Sequence, residues 1–334
     1  MATRVERHSK MVEIKEMEDS MNRQNSCTLL VLAGIILSCV LPSWAQQKGQ
    51  WVPGQSGLNA GILPDPGFTF ANLTVNYSAT ELKDGGGHST PVTGAYSFWA
   101  IEQVFYYVAP AKVLGGHFGA MALLPLANGS LTAPVFGVNG GGEGYADTFV
   151  EPAIMGWKLS RVEFYLGYGF TAPTGKWSPL ASNNVGSGYW GNNFVTGTTV
   201  YLTKNKGTSL NLTTDWEIHN EKSGIPITPG QAFTDEWGLG QVLPLKKNFS
   251  QLLQLGVIGY DQWQVSPNQG LTANVPYYSV HAVGIQSNFI LPAKGLSVTF
   301  KYEPEYRAIA HPQGRTLFLG FAWNLRDPKP QPRP

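Results

Sequence analysis

The sequence predicts an all-β protein: a transmembrane antiparallel up-and-down β-barrel of about twelve strands, with an N-terminal segment plugging its lumen. Three observations lead there. Apolar and polar residues alternate with period two in many stretches. Short and long connections between those stretches strictly alternate along the chain. Aromatic residues gather near the ends of the stretches, not in their middles. Composition agrees. With 39 Gly, 10 Trp, 14 Tyr and 16 Phe but only 13% charged residues, the chain suits short twisted strands better than soluble helices covered in Lys and Glu.

The net charge of +1 gives no electrostatic basis for a nucleic-acid partner. Both cysteines, Cys27 and Cys39, lie in an N-terminal apolar stretch, so the remainder of the chain cannot be a disulfide scaffold. That stretch, residues 29–41, has signal-peptide length and is short for a membrane span. Arg23 precedes it, and Ser43 and Ala45 place small residues where a signal peptidase reads. Cleavage after Ala45 is expected, which makes residues 1–45 an N-terminal extension and signal peptide. Residues 1–20 carry mixed charge unlike a signal n-region, and Met21 would be an ordinary start. Two other readings of the stretch are a lipoprotein site at Ile36–Cys39, which Leu37 fits poorly, and a membrane anchor.

Past Ala45 no sustained helical stripe occurs. In 315–325, Leu317, Leu319, Phe321, Trp323 and Leu325 oppose Thr316, Gly320, Ala322 and Asn324. In 296–307, Leu296, Val298, Phe300, Tyr302 and Tyr306 oppose Ser297, Thr299, Lys301, Glu303, Glu305 and Arg307. In 210–219, Leu210, Leu212, Trp216 and Ile218 oppose Asn211, Thr213, Asp215, Glu217 and His219. Stretches 96–108 and 194–203 alternate less cleanly. Expected strands are 68–79, 96–108, 117–126, 147–159, 162–172, 193–203, 209–219, 234–244, 249–263, 277–291, 296–308 and 315–325.

Tight links are expected near Pro110–Lys112, Ser160–Arg161, Asn205–Gly207, Lys246–Asn248 and Ala293–Gly295. Long links fall near 80–95, 127–146, 173–192, 220–232 and 265–275, with a shorter one at 311–314. An even strand number with this alternation puts both barrel ends in the periplasm. Trp99, Tyr168, Trp216, Trp237 and Trp263 then sit near outer strand ends, and Tyr107, Trp157 and Trp323 near periplasmic ends. A soluble sandwich, the competing reading, would concentrate its rings mid-strand.

Candidate sites are few. Gly137–Gly144 lacks the Gly-Lys-Ser/Thr ending of a phosphate loop and any following helix, so a flexible loop is expected. Gly175-Lys176-Trp177 fails the same test. The six histidines are scattered without ligand spacing, so no metal or cofactor site is expected. Asp215, Glu217 and His219 share one face and can be read as a metal or acid–base cluster or, more simply, as a hydrated lumen wall. Lys301, Glu303, Glu305 and Arg307 are expected to line the lumen as well. Glu102, Glu151 and Glu163 complicate the pattern, because Glu151 would share a face with Phe149 and Trp157. No GxSxG motif or Ser–His pairing marks a catalytic residue.

Residues 46–67 are rich in Gly and Pro yet hold Trp51, Leu58, Ile62 and Leu63. Those side chains are expected to pack inside the lumen as a plug; the other reading is a periplasmic linker. Residues 326–334 form a Pro-rich tail that cannot join a sheet, which leaves Phe321, Trp323 and Leu325 as an internal signal for the barrel-assembly machinery.

Segment 51–68, beginning Trp51-Val52-Pro53-Gly54-Gln55-Ser56-Gly57-Leu58-Asn59, resembles the opening of the family called "MetA-pathway of phenol degradation", described also as outer-membrane transporters. Tyr168–Lys176, Trp216–Lys222, Ile227–Gln231 and Glu236–Gly240 resemble it too. The resemblance implies a barrel in the bacterial outer membrane that passes small hydrophobic molecules, aromatic ones among them, and it carries no catalytic residues to transfer. The expected function is therefore a passive channel or uptake barrel in contact with outer-membrane lipids. A membrane-embedded lipid hydrolase and a non-transporting structural or adhesion barrel are the alternatives.

Overall fold

Antiparallel pairing runs unbroken around a closed ring in the computed structural model, which describes residues 49–90, 95–133, 138–179 and 181–325. The expected signal peptide with Cys27, Cys39 and Ala45, and the tail 326–334, lie outside the described residues. In chain order the strands are β1 (Gly67–Leu82), β2 (Ala95–Val113), β3 (Gly116–Ala133), β4 (Val138–Tyr145), β5 (Thr148–Lys158), β6 (Val162–Ala172), β7 (Gly191–Tyr201) and β8 (Thr208–His219). Then follow β9 (Ile227–Thr228), β10 (Ala232–Pro244), β11 (Leu252–Gln264), β12 (Gln269–Gly270), β13 (Ser279–Leu291), β14 (Leu296–Ile309) and β15 (Pro312–Asn324). Twelve of them form the wall: β1, β2, β3, β5, β6, β7, β8, β10, β11, β13, β14 and β15, with β15 pairing back onto β1. Closure removes every edge among them, which is what a sheet needs to cross a bilayer that offers no hydrogen-bond partners.

The alternation read from the sequence is the alternation of the wall, turned inside out relative to a soluble protein. On β8, Leu210, Leu212, Trp216 and Ile218 are exposed while Asn211, Thr213, Asp215, Glu217 and His219 are buried. On β15, Leu317, Leu319, Phe321 and Trp323 are exposed while Thr316 and Phe318 are buried. An apolar exterior around a polar interior is the pattern of a membrane barrel. Rings mark one level of the exterior: Phe194, Trp216, Phe233 and Trp263 are successive cross-strand neighbours on β7, β8, β10 and β11. Trp216 meets Phe233 edge-on, and Phe233 stacks on Trp263.

Several expectations need correction. Where a loop is expected at Gly137–Gly144, residues 138–144 are strand: they belong to β4, which pairs with Leu126–Ala133 and carries β3 past the wall. Its glycines admit a neighbour, since a Cβ on Gly142 would strike the backbone of Asn183. The link expected at Pro110–Lys112 is instead a two-residue turn at Leu114 and Gly115, both at positive φ. The difficulty over Glu151 is resolved by a bulge centred on Pro152, where Glu151 and Pro152 stand opposite the single Gly169 of β6, and Pro152 and Ala153 opposite the single Ala120 of β3. Phe149 and Glu151 both face inward, and past the bulge Ile154 and Gly156 are the buried residues while Trp157 points out. A second bulge, in β14 opposite His281 and Ala282, moves Arg307. Tyr306 and Arg307 are both exposed, with Glu305 and Ala308 buried on either side, so Arg307 does not share the inner face of Lys301, Glu303 and Glu305. A bulge adds one residue and reverses every side-chain direction beyond it.

Candidate functional site: the lumen and the segment inside it

Residues 49–66 run through the lumen from one rim to the other. At the short-turn rim, the Asp65 carboxylate lies 3.6 Å from Lys158 Nζ, and the Asp65 carbonyl accepts a hydrogen bond from Asn324. At the long-loop rim, the Gln50 side chain donates to Ser187 Oγ and to the Tyr189 carbonyl (3.0 Å). Proline and glycine leave this segment few self-made hydrogen bonds, and the wall supplies the partners. Glu217 accepts from the backbone N–H groups of Gln50 and Trp51 (3.1 Å for Trp51). Glu236 accepts from Trp51 Nε1 (2.8 Å) and from Ser56 N. Gln286 takes Leu58 N, Asn211 takes Asn59 N, and Thr199 takes Gly61 N. Asn59, at φ 69°, exchanges two 2.8 Å side-chain bonds with Gln254; asparagine tolerates that left-handed backbone where most residues do not. Lys301 directs its ammonium at three successive carbonyls, Gly54, Gln55 and Ser56, at 2.7, 2.6 and 2.8 Å.

Apolar side chains of the segment fit where the wall has none. Leu58 is buried over Gly238, Gly240 and Gly256, at each of which a Cβ would come within 2.8–2.9 Å of the leucine side chain. Leu63 is buried over Gly156 in the same manner. Ile62 is partly buried, and Trp51 meets Phe149 edge-on at 5.8 Å between ring centres. Inward-facing glycines at alternate strand positions are the signal in the sequence for this arrangement: they mark where something other than the strand fills the space.

The sequence-predicted polar residues separate by strand. Asp215 is held by the Asn193 amide at 3.0–3.1 Å. Glu217 takes up the segment, and His219 Nε2 lies 3.3 Å from it while Nδ1 lies 2.9 Å from the Gly230 carbonyl. Glu303 is buried beside Gly54. Glu305 accepts from Tyr77 (3.0 Å), Tyr260 (2.9 Å) and the Gly314 N–H. Among the described residues no group of His, Cys, Asp and Glu is arranged to hold a metal ion.

The lumen is two-sided. From β7 to β14 its wall is polar: Asn193, Thr213, Asp215, Glu236, Gln254, Gln262, Gln286 and Lys301 are all buried, and nearly all of the segment's bonds go to this half. From β15 through β1, β2 and β3 the inner face carries Phe318, Val75, Ala100 and Ala127, which form a buried cluster against which Val52, Leu73 and Phe98 pack. Between this half and the segment lies a cavity of about 230 Å³, lined mainly by apolar side chains, Trp51, Val52, Phe98, Ala100, Leu123 and Phe149 among them, with Glu102 in its wall; it also reaches Asn193, Gln262 and Glu305 of the polar half and Asp147 and Ser187 of the loops.

Loops partly cover the long-loop rim. Asp147 receives the Gly175 N–H (2.9 Å) and the Ser187 N–H and hydroxyl. Lys222 lies buried with its ammonium 5.0 Å from the Trp177 ring centre and 5.3 Å from that of Tyr189. Burial pushes this lysine down to about 8 against the pull of Asp147, and it raises the Asp147 carboxyl.

Residues 79–321 match the family described as "Putative MetA-pathway of phenol degradation". No curated protein matches the chain. Among solved structures it is similar to an outer membrane channel from Pseudomonas putida F1, with TM-score 0.68 and 15% identity over 82% of this chain and 99% of that one. It is also similar to the transport unit of the autotransporter AIDA-I from Escherichia coli, with TM-score 0.52 and 12% identity over 85% and 98% of the two chains.

Proposed function

Starting from the fact that this chain belongs to the phenol-degradation family matched by residues 79–321, we propose that it is a passive outer-membrane channel taking up small hydrophobic, including aromatic, compounds. One observation carries the reading. The N-terminal segment is hydrogen-bonded to the polar half of the lumen, which leaves the apolar half facing the open cavity. Water and ions gain little from such a passage, whereas an apolar solute crossing it stays out of water. Trp51, Leu58, Ile62 and Leu63 act as the plug that narrows the lumen to this route. Passage is by diffusion, with no chemical step; Glu217 and Lys301 hold the plug and Glu303 lies against it at Gly54, while Asp215, His219 and Glu305 line the wall around it. The exposed side chains of β8 and β15 contact outer-membrane lipid, and Phe321, Trp323 and Leu325 serve the barrel-assembly machinery.

The test compares the full barrel with a variant lacking residues 48–64 in planar bilayers and in lipid vesicles. The full barrel should admit a radiolabelled aromatic tracer into vesicles while showing small ionic conductance. The deletion should raise conductance and weaken the preference for hydrophobic solutes. A deletion that folds normally and shifts neither quantity would make the segment a linker and overturn the plug.

A further inference from the structure

One carboxylate interrupts the apolar half of the lumen. Glu102 lies on β2 opposite Leu73 of β1 and Pro125 of β3, with Ala100 and Phe98 preceding it on the same inward face. It is only 3% exposed, lines the cavity, and its Oε2 has no hydrogen-bond partner among the described residues. Glu305, which lines the same cavity, already accepts from Tyr77, Tyr260 and Gly314. An unmet buried acceptor is costly, and a wall otherwise built of Val75, Ala100 and Phe318 gives no packing reason for a glutamate.

Resting on the channel reading above, we infer that the cavity is a binding site for a small apolar molecule bearing one hydrogen-bond donor, a hydroxylated monocyclic aromatic, whose O–H is received by Glu102. Size, surroundings and charge agree. An apolar cavity of about 150 Å³ is enough to hold benzene in a soluble protein, so about 230 Å³ accommodates one substituted ring. The Trp51 and Phe149 rings, already edge-on to each other, and Phe98 offer faces for it. A neutral O–H completes the bonding of the buried acceptor without bringing a second charge into the apolar half. The donor also gives selectivity: a site built around a hydrogen bond rejects the analogue that lacks it, because the buried acceptor is then left unmet.

Equilibrium binding to the purified full-length barrel in detergent tests this, using calorimetry with phenol, toluene and benzylamine as probes. Phenol should bind saturably and roughly tenfold more tightly than toluene, the scale of one hydrogen bond to a charged group. Glu102→Leu should bring the two probes to parity while keeping toluene binding. Ala100→Phe, which fills the cavity, should lose both. Heat-modifiable electrophoretic mobility reports whether each variant is folded, and Glu102→Met, of similar length and without an oxygen acceptor, serves if Glu102→Leu does not fold. Equal binding of phenol and toluene by the unaltered barrel, absence of saturable phenol binding, or a preference for benzylamine would each overturn the inference. Because vesicle uptake is measured separately, a barrel that passes aromatic tracers but binds phenol and toluene alike would retain its channel function and lose only this site.

Discussion

Lys301 shows how much a single residue can be read and how much cannot. Its inward direction follows from period two between Phe300 and Tyr302, but nothing in the sequence says that its ammonium ends on three carbonyls 245–247 residues earlier. Replacing it with Met leaves those carbonyls without their donor and the neighbouring carboxylates without their cation. Lys301→Met should destabilise the folded barrel by about 3–5 kcal/mol, read as a lowered urea midpoint, and should raise ionic conductance as the segment loosens. A variant with wild-type stability and conductance would show that the clamp is not needed. Lys222 gives a pH effect at the other rim. Its ordinary value of 10.5 is lowered to about 8 by burial, so between these values the closed loops bind fewer protons than the open ones. Closure is therefore favoured as pH rises through that window and carries the full burial cost below it. Trypsin cleavage after Lys222, measured relative to a free peptide of the same sequence, should slow between pH ~7 and ~9.5; no change would mean that the buried ammonium does not govern the loops.

Among the elements, legibility depended on how sharply a strand's inner side chains differ from its lipid-facing ones. β8 and β14 show period two plainly because polar side chains line one face and lipid-facing ones the other, and β15 shows it because small or polar Thr316, Gly320 and Ala322 alternate with Leu317, Leu319, Phe321 and Trp323. On β2 both faces are largely apolar, since Phe98 and Ala100 look into the cavity while Trp99 and Ile101 are exposed, and the alternation fades. The blurred stretch 96–108 was thus a real signal of an apolar inner wall. Bulges are the second limit. Pro152 is a local mark of the bulge in β5, since a proline has no N–H to give the ladder, but nothing local distinguishes the extra residue in β14, and one such residue turns Arg307 away from the inner face. Orientation itself can be tested on the last two strands. Leu319, more than half exposed on the exterior, should as Leu319→Arg cost roughly 2–4 kcal/mol near the bilayer midplane. Thr299→Arg on the inner face of β14 should be much milder in the same urea titration. Equal damage at both sites would contradict the inside-out wall.

The whole molecule raises a question of order in time. Gly67 begins β1 at the short-turn rim, and the eighteen residues before it, 49–66, run up the lumen to the loops of the far rim. A finished cylinder cannot easily be threaded by its own chain, and threaded connections are nearly absent from proteins. The β1–β15 seam, which joins residues more than two hundred apart in sequence, must therefore shut around a segment already lying in place. That makes residues 49–66 a mandrel, around which the strands wrap and against whose leucines the glycine rows of β5, β10 and β11 find their register. Removing it should slow refolding from urea into micelles more than its contacts alone would suggest, with kinetically trapped unclosed sheets. A synthetic peptide of residues 46–66 added before dilution should restore part of the rate, whereas the same peptide added after closure should not. Equal refolding rates with and without the segment would show that the ring closes first and that the chain finds its way in afterwards.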